Sequence, residues 1–181
     1  GVIKKIAKHQ QGFTLTEMLI SVAIMGALTS IATPPLLNNL HRAKQSDAAS
    51  LLSQLAVSAA TYKDEFGEAP TTWEHLSEIS AVMTANGPAT SGDLTSNIST
   101  PNRDFTINRS SGTGDYFEFT ATPTGAGAAG RYNVISCIDL SNGASDIRLG
   151  GRNGLAAAAA TGDLTCRTSN ATTPGITTSS S

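Results

Sequence analysis

A chain of 181 residues in which 39% are apolar and only 14% charged holds material for one domain, or for one domain plus an extended appendage. The aromatic share of 5% is thin for a core of that size, and Ser, Thr, Ala, Asn and Gly dominate away from the N-terminus, as in exported β-rich proteins and in polar domains with long loops. The formal charge of -2 conceals a basic start at Lys4, Lys5 and Lys8; without residues 1–12 there remain 9 basic and 14 acidic residues, the wrong sign for a nucleic-acid-binding protein.

The opening segment GVIKKIAKHQQG is short and basic and closes on Gly12. Phe13 to Ala32 then reads FTLTEMLISVAIMGALTSIA, 20 residues with one charge, Glu17, and no proline. As a helix this run is about 30 Å long, the thickness of a bilayer core. The basic residues ahead of it would hold its start in the cytoplasm. A secretory signal peptide would have a shorter apolar region followed by a small-residue cleavage site; here the run leads through Thr33 into Pro34-Pro35 and on into a further helical pattern. An ordinary single-span anchor leaves Glu17 unexplained, because a carboxylate inside the bilayer is costly and asks for a cation.

The stretch Gly12-Phe13-Thr14-Leu15-Thr16-Glu17-Met18-Leu19-Ile20 resembles the class III signal of type IV pilins and pseudopilins. The resemblance covers about 55 residues strongly and the rest in layout. It implies that a prepilin peptidase cuts after Gly12, that Phe13 becomes the mature, N-methylated N-terminus, and that Glu17 pairs with the N-terminal amine of a neighbouring subunit during assembly. Gly26, Pro34 and Pro35 stand where pilins carry helix-softening residues, and two consecutive prolines remove two helix donors. Thr16 departs from the commoner Ile or Val before the Glu, and the first residue is not Met, which leaves room for a longer leader. The implied fold is α+β, a long N-terminal helix packed against a small antiparallel β-sheet with a C-terminal disulfide-bounded region. The implied function is a structural subunit of a type IV pilus filament on the bacterial surface; the alternatives are a minor pilin, a type II secretion pseudopilin or, less favoured, a DNA-binding pilin. Its partners would be further copies of itself, the inner membrane before assembly, the prepilin peptidase and the pilus assembly machinery, with no enzymatic activity, cofactor or metal.

Beyond the leader (1–12) and the transmembrane and assembly half of the helix (13–35), residues 36–66 form the amphipathic half. Leu37, Leu40, Ala48, Leu51, Leu52, Leu55, Ala59, Tyr62 and Phe66 recur mostly at spacings of three and four, and Gly67 ends the pattern. The two halves make one helix of about 54 residues, roughly 80 Å if straight, or two helices split at Pro34-Pro35. Region 67–104 connects: Thr71-Thr72-Trp73-Glu74 has capping-box spacing and starts a short helix to about Met83, with Trp73, Leu76, Ile79 and Val82 or Met83 buried. Residues 86–101 read as a loop. In region 105–168, strands are expected at 105–107, 116–122, 131–140 and 145–149, the last two joined by a hairpin turn at Asn142-Gly143. The alanine run 156–160 reads as a helical turn or a small-residue loop, and 169–181 as a disordered tail.

Cys137 and Cys166 lie in no CxxC and beside no His cluster, which argues against zinc. In an exported chain they are expected to pair, the alternative being two unrelated thiols; the resemblance implies the disulfide. His9, His41 and His75 have no catalytic motif around them, and Gly125, Gly127 and Gly130 lack the strand–helix context of a phosphate loop, so assembly energy would come from a separate ATPase. Arg103, Arg109, Arg131, Arg148, Arg152 and Arg167 are the candidates for DNA contact. Some pseudopilins bind calcium, but Asp139, Asp146 and Asp163 lack the spacing of a calcium loop. Asn97, Asn108 and Asn170 open Asn-X-Ser/Thr triplets, which this composition produces by chance.

Overall fold

The computed structural model describes residues 12–125, 131–151 and 158–166, with the backbone but not the side chains of 31–37. The leader up to residue 11, His9, Gly127, Gly130, Arg152, residues 156–157 of the alanine run, Arg167, Asn170 and the tail 169–181 lie outside the described residues. The chain divides into two compact units, Gly1–Leu40 and His41–Ser181.

Helix α1 is assigned over Leu15–Phe66, a span that includes Pro34 and Pro35 and continues from the first unit into the second. The second unit, the head, adds α2 (Trp73–Ile79) and the strands β1 (Met83–Thr84), β2 (Gly87–Pro88), β3 (Ile98–Ser99), β4 (Phe105–Ser111), β5 (Tyr116–Pro123), β6 (Val134–Asp139) and β7 (Ser145–Leu149). β1 and β2 form a small antiparallel ribbon. β3 to β7 form one antiparallel sheet in which every strand pairs with its neighbour in the chain. The class is α+β, as the sequence implies.

Alternation along β5 explains how the sheet meets the helix. Phe117, Phe119 and Ala121 point to one face and pack with Ala48, Leu52, Leu55 and Ala59 of α1, together with Ile107, Val134 and Ile138. The burial stripe on α1 differs from the expected one at its ends: Leu40 and Phe66 are 48% and 50% exposed, and the side chain of Leu37 lies outside the description. Gln45 is buried instead. At spacings of three and four, Gln45, Ala48, Leu52, Leu55, Ala59 and Tyr62 form the inward row, so a polar residue occupies an apolar position.

The connecting region is more ordered than a loop. The N-cap of α2 is Thr72, whose hydroxyl accepts from His75 N at 3.2 Å; His75 Nδ1 accepts from Thr71 N at 3.2 Å. The cap is therefore one residue later than the Thr71–Glu74 spacing suggests, and the helix ends at Ile79 because Ser80 is extended. The expected loop 86–101 contributes β2 and the edge strand β3. Trp73 anchors the region, fully buried with Nε1 donating to Ser96 O at 3.0 Å. The hairpin between β6 and β7 is longer than the two-residue turn expected: Asp139 N donates to Ala144 O, with Gly143 at φ 74.

The opposite face of the sheet is also covered. Ile135 and Cys137 of β6 form a second core with Ala159, Leu164 and Cys166, and Cys137 bonds to Cys166 with Cα atoms 6.1 Å apart. A polar junction ties these layers together. Gln45 Nε2 donates to Asn133 O at 3.0 Å and Gly150 O at 2.7 Å, while the Asn133 amide exchanges two hydrogen bonds with Ala159, at 2.7 and 2.8 Å. Gly150 is required there, since a Cβ would collide with Arg131 O and Asn133 Oδ1. Gln45→Ala removes the amide donor of the Gly150 carbonyl, while Asn133 O keeps the Gly150 N–H at 3.0 Å, and should destabilise the purified chain by about 1–3 kcal/mol in urea unfolding. Gln54→Ala, whose exposed amide reaches only Ser80 Oγ, should cost about 0.5 kcal/mol or less.

Candidate functional site: the N-terminal segment

Gly12, Phe13 and Thr14 precede α1. Thr14 Oγ1 accepts from Glu17 N at 3.2 Å, and Glu17 Oε2 accepts from Thr14 N at 3.0 Å. This is a reciprocal capping box, which satisfies two backbone donors at the helix start and places a carboxylate where the helix dipole favours it. Glu17 is thus held within its own chain, a partner that reading it as a lone acid in an apolar run misses. The signal was present as Thr-x-x-Glu before an apolar run.

From Phe13 to Leu28 the large apolar side chains are exposed all round the helix, Phe13 at 83% and Leu15 at 79%. Three hydroxyls of the segment bond back to the helix: Ser21 Oγ donates to Glu17 O at 2.9 Å, Ser30 Oγ to Ala27 O at 2.8 Å, and Thr29 Oγ1 to Met25 O. A helix apolar on every side is suited to hydrocarbon or to other helices and not to water. Among the described residues no helix is long and apolar enough to cross a membrane; the expected span 13–35 includes positions whose side chains are not described. Gly26 lies within this stretch, and a Cβ there would meet nothing within 4 Å in the single chain.

The other candidates do not converge. His41 stacks on Tyr132 at 5.3 Å between ring centroids, and His75 on Tyr62 at 4.9 Å. Three of the described candidate arginines serve local roles: Arg109 lies 3.8 Å over the Phe117 ring and donates to Tyr116 O, its pKa lowered by burial; Arg131 lies 4.8 Å over Tyr132; Arg148 pairs with Asp146 at 3.1 Å. Asp139 accepts from Ser141 and Asp163 from Ala160 N. Among the described residues no group of three or more His, Cys, Asp or Glu side chains could hold a metal. The sequence reading missed Glu118, 2% exposed on the covered face of the sheet opposite Cys137, with Oε1 accepting from Tyr116 OH at 2.7 Å. Its alternation with Phe117 and Phe119 marks it as outward, on the face where Cys137 bonds to Cys166.

Asp146 fastens that covering segment. Its Oδ2 accepts from Thr165 N and Thr165 Oγ1, both at 3.0 Å, and from Arg148 Nε at 3.1 Å, one residue before Cys166. Burial pushes the carboxyl pKa up, but hydrogen bonds from Thr165, Arg148 and Ile147 outweigh it and the net shift is downward.

Comparison with known proteins gives matches to part of the chain. The family described as "Prokaryotic N-terminal methylation motif" matches residues 7–33. The chain is 36% identical over 77 residues to type II secretion system core protein G of Vibrio cholerae, covering 42% of this chain and 52% of that one. It is 33% identical over 72 residues to the protein of the same name from Aeromonas hydrophila, covering 40% and 50%. The chain thus spans about half the length of the curated relatives it matches. No solved structure matches it.

The Asp146 fastening predicts acid sensitivity. Because the folded pKa lies below the unfolded value, the contribution is present above about pH 4 and is lost as pH falls through the folded pKa. Asp146→Asn should lower the thermal midpoint at neutral pH and flatten its decline below about pH 4, as followed by circular dichroism.

Proposed function

Because this chain belongs to the type IV pilin and pseudopilin family, we propose that it is a structural subunit of a membrane-assembled filament of the type II secretion pseudopilus kind. The observation that carries this reading is the exposed apolar helix start, with one carboxylate held a single turn from Phe13. In this reading residues 1–12 are a leader removed by a prepilin peptidase after Gly12, and Phe13 is then methylated. The segment 13–35 anchors the subunit in the inner membrane and later packs against the same segment of other copies; 36–66 carries the head.

Cleavage would create an ammonium at Phe13, next to the Thr14 N–H that Glu17 now caps. An ammonium is a stronger partner than a neutral N–H, particularly away from water. A copy arriving with its own ammonium can therefore draw Glu17 from its cap, so that the acid enters the helix bundle paired. Apolar helices leaving lipid for each other gain packing without catalysis. Gly26, Pro34 and Pro35 would let the helix adapt, Gly by its low propensity and the prolines by lost donors.

The secretion reading takes support from the core protein G relatives. A pilus subunit is the second reading, favoured by the Cys137–Cys166 bond that bounds the C-terminal segment. Deleting the gene separates them: loss of exported proteins from the medium supports the first, and loss of surface filaments with secretion intact supports the second. For either, Glu17→Val should leave the subunit membrane-inserted and cut between Gly12 and Phe13, as mass spectrometry reads. The assembled fraction should fall about tenfold or more, the scale for removing a charged partner from a buried pair. Normal filaments built only from that variant would refute the role given to Glu17.

A further inference from the structure

Charge in the head is sorted along α1. Arg42 and Lys44 lie in its first turns there, with Asp47, and the fold brings two more cations beside them, so that four cations stand against Asp47 and Asp104. Lys44 Nζ reaches Asp104 Oδ1 at 3.2 Å, in the turn that carries Arg103, and His41 stacks on Tyr132, whose ring lies under the Arg131 guanidinium. About 36 Å further along the helix axis, at 1.5 Å per residue, α1 ends among Asp64, Glu65, Glu68, Glu74 and Glu78. Lys63, the cation at this end, is committed to Asp115 at 2.7 Å. Among the described residues none of the five carboxylates is in an ion pair. Their field is felt inside the head: burial first, then the charges of Glu68 and Glu78, push the Tyr62 phenol up from its usual pKa. At the centre of this acidic end stands Phe66, half exposed and 4.5 Å from the Tyr62 ring between centroids.

Gathering like charges at one end destabilises a lone head, whereas two ends of opposite sign suit each other. The two surfaces are different, so the contact they make between copies does not close on itself as a two-fold dimer does but leaves a free end of each kind and propagates. We propose that the acidic end of one head, centred on Phe66, docks against the basic end of a second copy, where Arg42 and Arg131 meet it, and that this contact repeats along the polymer. The proposal rests on the polymer reading above.

The test uses the full chain as the sole subunit in cells. The double variants E65K/E68K and R42E/R131E should each lower the filament fraction, relative to the membrane pool, by about tenfold or more, since like charges then face each other across the contact. The chain with all four substitutions should recover it. Filaments at the unsubstituted level in either double variant, or no recovery with all four, overturns the docking while leaving the polymer reading in place. Absence of filaments from the unsubstituted chain overturns both. A benzophenone amino acid in place of Phe66 gives a readout independent of the reversed charges. Cross-links to residues 41–44 or 131–132 of another copy support the contact, and cross-links elsewhere overturn it. If only R42E/R131E loses filaments, and it also sediments less with phosphatidylglycerol vesicles, the basic end serves lipid and the proposal fails.

Discussion

A helix that is apolar on every side has no stable place in water, and this constraint governs how the chain must behave. Leu15, Met18, Leu19, Ile20, Ile24 and Leu28 are exposed and lie on all sides of the helix, so they present no single stripe that a head could cover. The head has already filled its own core with Ala48, Leu52, Leu55, Ala59 and the inner face of the sheet. The two requirements therefore differ: the head is satisfied by its own core, and the N-terminal segment calls for apolar surroundings. Ser21, Thr29 and Ser30 donate back to the helix, and Glu17 is the one charged side chain of the segment. An amphipathic helix of ordinary type would have lost this separation, since its apolar face would fold onto its own domain.

Much of the architecture was legible because it is written locally. The strand Ser145–Leu149 and the start of the strand at Tyr116 follow from alternation and bounding turn residues, and the helix end at Phe66 from Gly67, whose φ of 76 suits glycine. What escaped was decided by distant parts of the chain. Gln45 looks like a solvent position until Asn133 and Gly150 bring two carbonyls to it. Glu118 is outward by alternation yet buried, on the face where Cys137 bonds to Cys166. The strands β1 to β3 have two residues each, too short for any periodicity to register. At the candidate site the motif residues were legible from their order, whereas the capping box between Thr14 and Glu17 went unread because the acid was weighed only against the bilayer.

The head is held by layers with different chemistry. On one side of the sheet the contact is apolar and continuous with α1. On the other, a small hydrophobic cluster is joined by a covalent bond, the Asp146 carboxylate and the Asn133 amide, each gripping the same short stretch near Ala159 to Cys166. A segment of so few apolar residues would bury little area alone. Directional bonds compensate for that, and they make the outer layer specific in register where a larger core would have relied on shape.

The order of the sheet has a kinetic consequence. Each strand after Ile98–Ser99, as far as Ser145–Leu149, pairs with the one before it, so no pairing within this sheet waits for a remote part of the chain and the closure entropy at each step is small. Topologies of this sort fold quickly for their size. As the chain is made, the strands can zip onto the helix in the sequence in which they arrive. The crosslinked segment, which follows the sheet in the chain, then latches strands that are already paired.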